Sequence, residues 1–207
     1  MNFIPQIVVL LFSLIVHEVA HGYMALHLGD TTARDSGRLT FNPIPHIDIF
    51  GTIIFPVILI VIQSPVLFGW AKPVPVNPWR VQGGKKGLAK VSAAGPGSNF
   101  LLAVIFGLIF RIYSTGSGIS SPISRILFFA VFINIILGIF NSMPIPPLDG
   151  SKILMAYLPE HVADRYSSLQ RYGFLILFFL LFIGLFDLVI LPIARILLTL
   201  IIGFSPF

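Results

Sequence analysis

Asn2-Phe3-Ile4-Pro5-Gln6-Ile7-Val8-Val9-Leu10-Leu11-Phe12-Ser13-Leu14-Ile15-Val16-His17-Glu18-Val19-Ala20-His21 is an apolar run that carries three ionisable groups within its last turn. It continues through Tyr23-Met24-Ala25-Leu26. A helix of that length can cross a bilayer core. On such a helix His17 and His21 lie one turn apart on one face. Two imidazoles at that spacing can share one zinc ion, and Glu18 is placed to act as general base toward a water there. Ionisable groups at membrane depth are costly to keep and mark function. The run therefore reads as part of a metal hydrolase whose active site lies inside the bilayer. An HExxH pattern also arises by chance in soluble helices; the lipid-like flanks set this one apart.

Composition agrees. Of the 207 residues, 56% are hydrophobic and 10% charged; a soluble domain carries about 25% charge. Mean hydropathy is +0.96. The expectation is an all-α polytopic membrane protein forming one membrane-embedded domain over residues 1–207, with a core at about 3–158 and C-terminal helices at about 159–207. The first run lacks the basic start of a signal peptide. There is no cysteine, which excludes disulfides and thiolate ligands and leaves zinc to His and carboxylate. The net charge of +5 reads as topology, since no basic stripe with interleaved aromatics points to nucleic acid.

Five to six apolar segments follow from the chain: residues 3–28, 50–68, 88–113, 123–142, 172–186 and 189–204. Pro56 and Gln63-Ser64-Pro65 break the second, which suits a re-entrant stretch. Pro192 and Arg195 interrupt the last. Residues 38–42 and the proline-rich 69–78 read as short extended strands near the cytoplasm. Residues 151–170 read as amphipathic. Arg34, Arg38, Lys72, Arg80, Lys85, Lys86, Lys90, Lys152, Arg165 and Arg171 would share one side, leaving Arg111, Arg125 and Arg195 of the 13 basic residues for the other. The positive-inside rule makes the first side cytoplasmic, provided that 50–68 re-enters. His21, about seven residues from the end of its segment, then lies roughly 10 Å below that end.

Asn141-Ser142-Met143-Pro144-Ile145-Pro146-Pro147-Leu148-Asp149-Gly150 closes the fourth segment. Its prolines break the helix and free backbone groups that need cover from protein or water. Asp149 can turn inward as a third ligand, giving the three protein ligands and one open position of a catalytic zinc, or it can cap a helix over 150–157.

HEVAH in a first span, Gly95-Pro96-Gly97-Ser98-Asn99 opening a later one, and Asn141…Pro144-Ile145-Pro146-Pro147-Leu148-Asp149-Gly150 together resemble the site-2 protease family of intramembrane zinc metalloproteases. The resemblance covers residues 8–158 and is to the compact prokaryotic subgroup without a PDZ domain. It implies one zinc ion held by His17, His21 and Asp149, with Glu18 as general base. It implies that Asn99 and Asn141 contact substrate backbone or the developing oxyanion. The implied substrate is a transmembrane segment of another protein, cut near the cytoplasmic leaflet in a multi-pass plasma-membrane setting.

A rival reading is a zinc-binding membrane protein without catalysis, either a pseudo-protease or a metal transporter. The intact Glu18 opposes the first; the lack of ionisable residues in mid-span of the third and fifth segments opposes the second. His27 lies off the ligand face, His46 and Asp48 read as loop anchors, and His161 as solvated. Asn134 can face the same groove as Asn141 or make an interhelical hydrogen bond.

Overall fold

The computed structural model describes residues 3–54, 57, 58, 61, 70–117 and 121–203. These residues form helices and loops, with no strand among them. The helices are α1 (Phe3–His27), α2 (Thr32–Asp35), α3 (Gly84–Ser117), α4 (Pro122–Ser142), α5 (Asp149–Met155), α6 (Glu160–Ser168), α7 (Gly173–Phe182) and α8 (Leu191–Ile202).

Their ends follow from local chemistry. α1 stops where Gly29 takes φ +94°, a left-handed conformation that glycine adopts without a Cβ penalty. α4 starts at Pro122 behind Ser121, whose side chain accepts the Ser124 N–H. It ends before Pro144, Pro146 and Pro147, which cannot donate to a continuing helix.

α1, α3 and α4 are long and apolar enough to cross a membrane. The stretches Glu160–Phe182 and Phe186–Ile202 meet at a 70° bend and add a fourth span if they count as one. Among the described residues, three or four spans thus stand where the sequence suggested five to six apolar segments. The 10 residues of α7 and the 12 of α8 reach only about 15 and 18 Å at 1.5 Å per residue, each short of a core about 30 Å thick. The expected re-entrant stretch 50–68 lies for the most part outside the described residues.

α3 is central and packs against α1, α4, α5 and α8. Its far half buries Ala103 and Phe110 against Val131 and Ile135 of α4 and Ala194 and Leu198 of α8. Small residues let these helices approach: a Cβ on Gly107 would meet Ile201, and one on Gly138 would meet Phe100. At the near end the Gln82 N–H donates to Leu28 O at 2.8 Å, and the Tyr166 hydroxyl donates to Pro144 O at 2.7 Å. The end of α1, the start of α3 and the end of α4 thus share one end of the bundle.

The expected strands at 38–42 and within 69–78 are corrected. Residues 71–77 have no regular secondary structure and pair with no ladder. Pro73 and Pro75 have no N–H to give; the Lys72 N–H donates to His46 O at 2.9 Å, and two further donors go to side chains. The Val74 N–H goes to Glu18 Oε2 at 2.9 Å, and the Asn77 N–H to Asp30 Oδ2 at 2.7 Å. The Arg38 guanidinium donates to the carbonyls of Lys72 and Pro73. This stretch is a strap tied across the near end of α1.

Candidate active site

His17 and His21 face inward from α1, 5% and 9% exposed, and Asp149 reaches them from the start of α5, 7% exposed. The Leu148 N-cap makes no side-chain cap bond. The carboxylate of Asp149 instead points at the histidines. His17 Nε2, His21 Nε2 and Asp149 Oδ2 lie 3.1 Å from one another on all three sides. Lys152 Nζ donates to the other oxygen, Oδ1, at 3.2 Å. This leaves Oδ2 as the one oxygen directed at the histidines.

The ring protons follow from the partners. His21 Nδ1 sits 2.7 Å from Val91 O, which can only accept, so Nδ1 carries the hydrogen. His17 Nδ1 sits 2.6 Å from Asn99 Oδ1 and donates in the same way. With both rings neutral, the two Nε2 atoms present lone pairs to a carboxylate oxygen, and no other N–H or O–H of the described residues enters the triangle. A positive charge placed among them, such as a metal ion, satisfies all three. A tetrahedral zinc with bonds of about 2.0–2.2 Å sets its ligands about 3.3–3.6 Å apart, close to what is seen. The donor set of two imidazoles and a carboxylate suits zinc and leaves one position open.

The backbone makes room for such an ion. A Cβ on Gly95 would lie 2.4 Å from His21 Nε2 and 2.6 Å from His17 Nε2. No other residue type fits at that place. The same turn of α3 holds Pro96, which offers no N–H to the Ser92 carbonyl one turn earlier. That relaxed turn is the one that faces both histidines.

Glu18 is half-buried beside the histidines, with Oε2 held by the Val74 N–H. Asp30, fully buried, fastens the strap through Asn77. Burial opposes its ionisation, but bonds from Thr32 and the Asn77 N–H, with the charge of Arg80, outweigh this and lower its carboxyl below the usual range. A cavity of 710 Å³ opens from the three candidate ligands and Glu18 toward Asn141, Lys85 and Lys152. Asn141 is half-buried and donates from Nδ2 to Leu137 O at 3.1 Å. Asn99 is fully buried behind His17 and is not among the residues lining the cavity.

The other polar residues stand apart from this cluster. His27 and His161 are exposed. His46 donates to Thr40 O at 2.8 Å, and Asp48 Oδ1 accepts the Gly51 N–H at 2.7 Å, both within one loop. In the sequence Gly95 stands only as part of the Gly95–Asn99 motif. Its contact with the ligand atoms is a tertiary fact with no local signal.

Comparison with known proteins places this arrangement. The model of Peptidase family M50 matches residues 107–184. The Bacillus subtilis protein named "Putative zinc metalloprotease YwhC" is 39% identical over 189 residues, 88% of this chain and 82% of that one. "Putative zinc metalloprotease Rip2" of Mycolicibacterium smegmatis is 30% identical over 83% of this chain and 64% of its own length. "Putative zinc metalloprotease MJ0611" of Methanocaldococcus jannaschii is 40% identical over 65 residues, 31% of this chain and 32% of that one. No solved structure matches the chain. On the identity shared with YwhC over most of both chains, this protein belongs to peptidase family M50, the site-2 protease family.

Proposed function

We propose that this protein is an intramembrane zinc metalloprotease, with one zinc ion per chain, that cleaves transmembrane segments of other membrane proteins near the cytoplasmic leaflet. The observation that carries this reading is the triangle of lone-pair atoms from His17, His21 and Asp149 with Glu18 beside it. When bound, zinc would polarise a peptide carbonyl and acidify a water. Glu18 takes the proton of the attacking water and returns it to the leaving amine. The Val74 N–H steadies one of its carboxylate oxygens and leaves the other for that exchange. Asn141 lines the cavity with an uncharged amide that can donate to a developing oxyanion.

His21 lies six residues before the end of α1 at His27, about 9 Å along the axis. Arg38 and Lys72 beside the strap and Lys85 and Lys152 of the cavity stand at that end, and the positive-inside rule makes it cytoplasmic. The Trp70 N–H donates to Gly51 O at 3.2 Å, and Thr52 Oγ1 donates to Trp70 O at 2.8 Å. The two flanks of the second apolar stretch therefore meet, which supports re-entry rather than a crossing. A substrate helix shields its own peptide bonds and must unwind to be cut. The strap, with Val74 and Val76 on the cavity wall, offers carbonyls for pairing with the unwound segment. The setting is a multi-pass protein of a prokaryotic plasma membrane.

The test is Glu18→Gln in purified protein, with zinc content and cleavage of a model transmembrane substrate measured side by side. Zinc is expected to stay and cleavage to disappear. Cleavage by the Gln variant would refute the mechanism.

A further inference from the structure

Behind His17 a chain of buried amides crosses three helices. Ser13 on α1, Asn99 on α3 and Asn134 on α4 are each fully buried. We propose that Asn134 and Asn99 form a positioning relay that fixes His17 in the tautomer able to bind metal. The proposal rests on the metal-site reading above, but its first readout does not need metal.

The direction of the relay is determined by groups that cannot change role. Ala130 O can only accept, so Asn134 turns Nδ2 toward it, at 2.9 Å. The second hydrogen of that amide goes to Ser13 Oγ at 2.8 Å, whose own hydrogen goes to Val9 O at 2.8 Å. Asn134 Oδ1 is thereby left as an acceptor, and Asn99 Nδ2 donates to it at 3.0 Å. The other Asn99 hydrogen points to Ser13 O at 3.3 Å. Asn99 Oδ1 must then face His17, and His17 Nδ1 must carry the hydrogen. The lone pair is delivered to Nε2, inside the triangle.

Reversing one member would oppose oxygen to oxygen. Flipping Asn99 would set its oxygen against Ser13 O and Asn134 Oδ1 and lose two buried hydrogen bonds, which leaves buried groups unpaired. The two histidines are thus held by different means. His21 uses a main-chain carbonyl, and His17 uses side chains from two other helices. An amide also suits the place better than a carboxylate, which would add a charge at membrane depth.

The experiment uses 15N-histidine-labelled, metal-free protein and Asn99→Leu, followed by zinc affinity from chelator competition and KM at saturating zinc. In the unaltered protein the His17 ring is expected to be the Nδ1–H form alone. In Asn99→Leu it should become a mixture, zinc affinity should fall about 10- to 100-fold, and KM at saturating zinc should hold. Where Asn99→Leu costs the fold, Asn134→Ala carries the test, since it keeps Asn99 and removes only its anchor; the same changes, smaller in size, are expected. An unchanged tautomer and zinc affinity in a folded variant overturn the relay. A raised KM with zinc affinity intact overturns it in favour of substrate contact. A single Nδ1–H form in a protein that binds no zinc would support the relay while refuting the metal reading.

Discussion

Gly95→Ala is the sharpest perturbation the structure offers, because one methyl group would occupy the place where three ligands meet. The added Cβ would lie 2.4 Å from His21 Nε2, 2.5 Å from His21 Cε1 and 2.6 Å from His17 Nε2. Ordinary contact begins near 3.4 Å, so the rings have to retreat by about 1 Å. Metal sites tolerate errors of about 0.2 Å in ligand distance. Neither ring is free to move, since its Nδ1 is held at 2.6 Å by Asn99 or at 2.7 Å by Val91 O. At least one histidine is therefore lost as a ligand. The expected fall in zinc affinity is 100-fold or more, about 2.8 kcal/mol at 1.4 kcal/mol per tenfold. The assay is chelator competition on detergent-purified protein. Gly97→Ala is the control: its Cβ would meet nothing within 4 Å, and alanine is worth up to about 1 kcal/mol over glycine in a helix. It should bind zinc normally and melt no lower. Full zinc affinity in Gly95→Ala would refute the reasoning, and an equal loss in both variants would trace the effect to the helix rather than to the methyl group.

Asn141→Ala should keep zinc and fold but lower kcat on the order of 100-fold, as loss of an oxyanion donor does; release of zinc, or an unchanged kcat, would make Asn141 a structural residue. Because the chain has no cysteine, single cysteines at Ser36 and Gln82 can be labelled selectively in membrane vesicles. Both should label from the cytoplasmic side, and labelling from opposite faces would mean that the stretch between them crosses the membrane.

Sequence alone determined the features that depend on short spacings. The i, i+4 placement of His17 and His21 is a property of one helix turn, so HEVAH within an apolar run already marked a candidate metal site. The lack of cysteine narrowed the ligands, and the prolines of 144–147 marked where α4 must stop. Closure of the site could not be read that way. Asp149 lies 128 residues beyond His21, and local chemistry allowed it to cap a helix; only the packing of α1, α3 and α5 turns it onto the histidines. The strap was read as a strand because extended, proline-rich segments look alike whether their donors meet a partner strand or the carboxylates of Glu18 and Asp30. Hydropathy separated residues 172–186 from 189–204 but could not report the 70° bend at which the two stretches meet. Asn99, to which the resemblance gave a substrate role, is buried behind His17, with its side-chain amide directed by α1 and α4. Which way a buried amide turns depends on the fixed carbonyls that other helices bring to it, and that information exists only once the helices have packed.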